Sequence, residues 1–141
     1  MDIYLAAPIH RRAEMASIAD ELRECGLQVV SRWHDEDTPI EAELVAEQAR
    51  EFAVRDLTDI GEADTFLVFT EPLASEFEHR SGHMVETGIA LAWDKRVLLV
   101  GHKRNVFHDL AEVEHFTSWR AAREALGVPV AEVAGAERRR A

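Results

Sequence analysis

Cysteine is almost absent: Cys25 is the only one in 141 residues. An internal disulfide framework is excluded, and with it zinc ribbons and CxxC redox motifs; the usage fits a reducing compartment. Positive charge is also scarce. Sixteen Lys and Arg face 27 Asp and Glu, for a net charge of −11. That balance disfavours sequence-independent binding to nucleic acid, which needs a basic face. An anionic small molecule would have to be met by local positive groups against the overall field. No stretch of 18 residues is free of charge, so no membrane-spanning helix is expected. The opening MDIYLAAP lacks the basic and then apolar pattern of a secretion leader. Three nucleotide and hydrolase signatures are missing as well: GxGxxG, GxxxxGK[ST] and GxSxG.

What is present is a globular composition, 47% hydrophobic and 30% charged. Residues 1–130 read as one domain. Residues 131–141, with the basic run Arg138, Arg139 and Arg140, read as a solvated tail. Apolar runs at 2–8, 27–33, 65–70 and 96–101 read as strands, with a brief edge strand at 114–117. Between them lie helical patterns at 11–25, 40–62, 82–93 and 118–126. Gly26 and Gly127 stand where helix-ending glycines belong, and Ser118 where an N-cap belongs. Thr38, Pro39 and Glu41 resemble a helix start with a capping box. Strands alternating with helices give an open, mostly parallel sheet with helices on both faces. Ligands bind such sheets beyond the carboxyl ends of the strands. The residues that follow the strands therefore matter most: 7–12, 33–37, 70–82 and 101–108.

Several residues there invite a chemical reading. Glu86 lies one turn into the helix after the third strand. It is either a partner of the helix dipole or a nucleophilic or acid–base carboxylate. Trp33 and His34 follow the second strand, and Trp33 either packs in the core or stacks on a planar ligand. His79 and His83 are four apart but straddle a loop-to-helix boundary, which suits surface histidines near a pocket better than a metal pair. Cys25 reads as a small packed residue. Ser81 and Gly82, at a helix start, offer hydroxyl and amide donors to an anion, with Arg80, Arg11 and Arg12 nearby in sequence.

Three segments together resemble the nucleoside 2-deoxyribosyltransferase family, including its deoxynucleoside 5′-monophosphate N-glycosidase branch. They are IYLAAP at Ile3–Pro8, DLTDIGEAD at Asp56–Asp64, and SGHMVETGIALAWDKRVLLVG from Ser81. The resemblance spans about residues 2 to 120 and implies cleavage or transfer of the bond between a nucleobase and C1′ of 2-deoxyribose. It implies that Glu86 is the nucleophile, Asp56 the second carboxylate and Tyr4 the group that positions Glu86. Asp56 rests on the resemblance alone, since a mid-helix Asp is ordinarily a solvated residue. Substrate contacts are expected from Ala7, Pro8, Ile9, His10, Trp33, His34, Arg80, Ser81 and Gly82. The resemblance also implies a homo-oligomer, with His108, Asn105 and Phe107 as candidates to complete a neighbour's site, and no metal or organic cofactor. The expectation is a cytoplasmic, flavodoxin-like or Rossmann-like α/β enzyme of about five strands acting on a nucleoside or its 5′-monophosphate. Two alternatives stay open: a monophosphate N-glycoside hydrolase with water as acceptor, and a non-catalytic nucleotide sensor.

Overall fold

The computed structural model describes residues 1–36, 46–72, 75 and 81–129. The expected helix start at Thr38, His79, Arg80 and the tail 131–141 lie outside the described residues. Five strands form one parallel sheet: β1 Asp2–Ala6, β2 Gln28–Val29, β3 Thr65–Phe69, β4 Arg96–Val100 and β5 Val113–Phe116. Their order is β2-β1-β3-β4-β5, the doubly wound arrangement in which the strand order reverses beside β1. The helices are α1 Arg12–Glu24, α2 Ala46–Glu62, α3 Gly82–Ala92 and α4 Trp119–Ala125. The family-like fold expected from the sequence is thus present.

β3 is buried at every position, and β1 and β4 are buried from their second residue onward. That is why these strands read as near-continuous apolar runs rather than alternating ones. Glu21 of α1 accepts hydrogen bonds from Trp119 Nε1 at 3.3 Å and Arg123 Nη1 at 2.7 Å. α1 and α4 therefore share one face of the sheet, while α2 and α3 pack together against the face that carries Tyr4. Tyr4 lies opposite Phe66 in the β1–β3 register, and their rings stack at 5.4 Å between centroids, 6° from parallel.

Helix ends follow the sequence signals. Past α1, Gly26 takes φ +84°; its N–H reaches Arg23 O at 3.0 Å and the Leu27 N–H reaches Leu22 O at 3.1 Å. This is the doubled bond pattern that a glycine in the left-handed region permits. Ser118 caps α4 by accepting from the Ala121 N–H at 3.2 Å.

Two expectations need correction. The second strand, expected over 27–33, is only Gln28–Val29. The chain then turns, and Trp33–Asp35 forms one 3₁₀ turn. The backbone of Leu5 still needs partners on that side, and side chains supply them. Leu5 N–H donates to Ser31 Oγ at 3.1 Å, and Trp33 Nε1 donates to Leu5 O at 2.7 Å. Cys25, expected to be packed, is exposed at the end of α1.

Candidate active site

Tyr4 projects from the central strand β1 and is fully buried. Its hydroxyl donates to Oε2 of Glu86, in the second turn of α3. The two groups are 82 positions apart in sequence, and the sheet brings them together because α3 packs over β1 and β3. Burial, then the charges of Glu86, Asp56 and Asp59, hold the Tyr4 phenol far above its ordinary range. Tyr4 is therefore a neutral donor at any working pH. Burial pushes Glu86 up to about 8; the Tyr4 hydrogen bond and the charge of Arg55 oppose that rise, while the charge of Asp56 adds to it.

The other carboxylates come from α2. Asp56 is half-buried, and burial raises its proton affinity, with Arg55 opposing and Asp59 adding. Asp59, one turn further, is 1% exposed. It receives Arg32 through Nε at 3.1 Å to each oxygen and through Nη2 at 2.8 Å. The Tyr4–Glu86 pair is thus flanked by acidic groups and bordered by two arginines. Sequence reasoning reached Tyr4, Glu86 and Asp56 only through the family-like motifs. It missed Arg55 and Asp59. Asp56 and Asp59 are three apart on α2, beside the buried Ile60 and Ala63. That spacing puts both carboxylates near the apolar stripe, a signal available in the sequence.

The remaining expected contacts fall into groups. Ala7 and Pro8 are buried just past β1, and Ile9 and His10 open the short turn that follows. Trp33 and His34 are buried with their polar atoms engaged by the protein itself. Trp33 bonds Leu5, and His34 meets Ser31 Oγ at 2.8 Å and Asp35 Oδ1 at 3.2 Å. Burial holds His34 below the usual histidine range. These two side chains brace the site's edge and offer a ligand little surface. Ser81 and Gly82 are exposed at the start of α3. His108 is buried in its own chain, where Nδ1 accepts from the Arg104 N–H at 2.8 Å; Asn105 and Phe107 beside it are exposed.

His83 is a correction. It is not a surface residue: it is 3% exposed, and neither ring nitrogen has a hydrogen-bond partner among the described residues. Burial, then the positive charges of Arg104, His108, Arg11 and His10, push it down to about 4. Glu71 offsets part of that positive field. Its carboxylate meets His10 Nε2 at 3.4 Å and Arg11 Nη1 at 3.5 Å, and its carbonyl accepts from Arg104 Nη1 at 3.0 Å. Among the described residues no group of three or more His, Cys, Asp or Glu is arranged to hold a metal ion.

An open parallel sheet with a hydroxyl–carboxylate pair between its strand β1 and the helix after β3 defines a doubly wound α/β protein with a candidate small-molecule site. Within that class the chain belongs to the nucleoside 2-deoxyribosyltransferase family, whose model matches residues 3–132. It is accordingly an enzyme of glycosyl transfer or hydrolysis. No curated protein sequence matches it significantly. Among solved structures it is similar to the 2-deoxyribosyltransferase of the psychrotolerant bacterium Bacillus psychrosaccharolyticus. The identity is 20% and the TM-score 0.68, over 94% of this chain and 100% of that one. It is also similar to the CMP N-glycosidase of Clostridium botulinum, at 20% identity and a TM-score of 0.56, over 90% of this chain and 98% of that one. At these identities both likenesses concern the fold.

Proposed function

We propose that this protein cleaves or transfers the N-glycosidic bond of 2′-deoxynucleosides or their 5′-monophosphates through a covalent glycosyl–Glu86 intermediate. The observation that carries the reading is the Tyr4–Glu86 contact, buried on the Tyr4 side, with Asp56 close enough to influence both. Ionised Glu86 attacks C1′ while the bond to the base breaks and the base leaves with its electron pair. Asp56 supplies the proton that the departing base takes up. Water or a second base then attacks C1′ and gives its proton to Asp56, and Glu86 leaves as a carboxylate. Two carboxylates serve, one to attack and one to carry a proton, and because burial holds the proton on Glu86 up to about 8, turnover is expected to rise toward that pH as Glu86 ionises. The sugar develops the positive charge itself, so the scheme calls on no cofactor.

A 5′-monophosphate is favoured over a free nucleoside by one feature. His83, whose two ring nitrogens have no hydrogen-bond partner among the described residues, lies in the first turn of α3 amid Arg104, His108, Arg11 and His10. A phosphate brings acceptor oxygens and negative charge to such a place. Arg80, outside the described residues, stands beside Ser81 in sequence and is a further candidate. The site contacts proposed for Ala7, Pro8, Ile9 and His10 line the same edge, after β1.

Self-association belongs to the same proposal. Val85 on α3 is 63% exposed, and Val106 and Phe107 are 77% and 61% exposed. Asn105 Nδ2 reaches Met84 Sδ at 3.6 Å, which sets that loop beside α3. An apolar patch next to the nucleophile's helix suits a second copy of the chain.

The test is a panel of deoxynucleosides and their monophosphates, with and without an acceptor base, read by chromatography. Free base or exchanged nucleoside is expected, with faster turnover on monophosphates. Glu86→Ala is expected to lower turnover by several orders of magnitude, roughly 10³-fold or more. Mass spectrometry of Glu86-containing peptides is expected to find a deoxyribosyl adduct. Near-normal activity in Glu86→Ala rules the mechanism out. Tight nucleotide binding without turnover in the wild type points to a sensor instead.

A further inference from the structure

Arg55 touches three partners at once. Its Nε and Nη2 both donate to Oδ1 of Asp56, at 3.2 and 3.1 Å. Its Nη1 pairs with Oε1 of Glu36, just past the 3₁₀ turn that follows β2. Its guanidinium carbon lies 5.0 Å from the centroid of the Phe52 ring, one turn earlier on α2. The planar fork is therefore held at both ends and on one face, although its side chain is 16% exposed. An arginine ordered in this way fixes the group it holds, which a lysine's single rotatable ammonium does not.

Both bonds to Asp56 fall on the same oxygen. Oδ2 has no hydrogen bond to any described residue. We infer that Arg55 is a positioning residue: it occupies Oδ1 of Asp56 and leaves Oδ2 as the oxygen that exchanges a proton with the departing base, while Glu36 tempers its charge. This rests on Asp56 and Glu86 being the reacting carboxylates.

The charges around the pair make the arrangement consequential. Glu86 comes from α3, Tyr4 from β1, Asp59 from α2 itself, and Arg32 and Glu36 from the segment after β2. Burial, then Asp59, disfavours ionised Asp56, and Asp56 in turn disfavours ionised Glu86. Arg55 is the foremost influence in the opposite sense, ahead of Arg32, and it also opposes the effect of burial on Glu86. Removing Arg55 therefore makes both carboxylates hold their protons to higher pH. Removing the charge of Glu36 releases more of the Arg55 field and moves Asp56 the other way. Those shifts report the field of Arg55; Arg55→Lys, which keeps the charge and loses the fork, separates positioning from charge.

The test is a titration of the Asp56 and Glu86 side-chain carboxyls by carbon-detected NMR in the full chain. Wild type, Arg55→Met, Arg55→Lys and Glu36→Gln are compared. In Arg55→Met the Asp56 midpoint is expected about one pH unit higher. In Glu36→Gln it is expected lower, by a smaller amount. Arg55→Lys is expected to stay near wild type in titration yet lose about 10-fold in kcat for base release, with KM little changed, because the charge stays and the fork is lost. The rising limb of kcat/KM against pH is expected to follow the carboxyl midpoints. Midpoints that stay put, or move the same way in Arg55→Met and Glu36→Gln, overturn the inference. If Arg55→Met does not fold, Glu36→Gln and Arg55→Lys still decide it. An inactive wild type overturns the catalytic reading and the Arg55 role with it, whereas an active wild type whose midpoints do not respond overturns the Arg55 role alone.

Discussion

Glu86 is the residue at which stability and the proposed chemistry pull apart. Its carboxyl titrates near the ordinary 4.5 in an unfolded chain but at about 8 in the fold. Below pH 4.5 both states hold the proton, and the environment imposes no penalty. Between 4.5 and 8 the unfolded chain loses the proton while the folded chain keeps it, so stability falls as pH rises through that window. Above 8 the loss is complete. Glu86→Gln keeps the shape without the charge. Its melting temperature is expected to match the wild type below pH 4.5 and to exceed it increasingly up to pH 8, read by thermal melts across pH. Tyr4→Phe removes a bond that favours ionised Glu86. A hydrogen bond to a charged group is worth about 1.5–3 kcal/mol. Turnover is expected to fall roughly 10- to 100-fold, with the rising limb of the pH profile displaced to higher pH. An unchanged profile would remove Tyr4 from the site. His83 shows how a residue-level reading fails. Its place in sequence suggested a surface histidine, but burial is decided by what α3 packs against, which no local pattern around His83 reports.

At the scale of elements, the sequence was legible wherever an end is marked by local chemistry. Gly26 past α1 and Ser118 before α4 each act through a bond to their own neighbourhood, so their residue types predict them. β3 and β4 were legible because strands buried on both faces have no polar alternation to blur them. β2 was not. Residues 27–33 read as a strand because Val29, Val30 and Trp33 are apolar, yet only Gln28–Val29 pair as one. Beyond them Ser31 and Trp33 take over the work of the ladder with their side chains. That substitution depends on the unpaired backbone of Leu5, a partner 28 residues away from Trp33. Trp33→Phe keeps most of the ring and deletes its N–H, leaving a buried carbonyl unsatisfied. A loss of about 1–3 kcal/mol in urea unfolding is expected. No loss would mean that Leu5 O finds another donor.

For the molecule as a whole, alternation of strand and helix was enough to specify an open parallel sheet with its ligand edge. The composition of the site was not specified in that way. Tyr4, Asp56 and Glu86 sit on three elements, and only motifs matched in order connected them. Asp56 alone would have passed for a solvated helix residue, and Arg55 drew no notice because its partners are Asp56 beside it and Glu36, 19 residues away. The exposed Val85, Val106 and Phe107 are a molecular-scale feature of the same kind, since a sequence shows apolar residues but not which remain uncovered. With a chain of 15.9 kDa, sedimentation velocity at micromolar concentration is expected to show a species of about twice that mass or more. Phe107→Asp is expected to shift it toward the single chain. A wild type that sediments only as one chain would sink the self-association.

The direction of β1 has a practical consequence. Every strand runs parallel, so all of them enter the sheet at one edge and leave at the edge that carries the site. Met1 stands at the entry edge, where its carbonyl accepts from the Gln28 N–H at 3.3 Å and the Asp2 N–H is taken by Asp64 at 3.1 Å. Tyr4 is three residues away from that end in sequence, yet its hydroxyl is committed to Glu86. An affinity handle, a fluorescent fusion or an anchor to a solid support attached ahead of Met1 therefore leaves from the edge opposite the carboxyl ends of the strands. A bead-bound preparation made this way presents the carboxyl ends of the strands to the bulk solution.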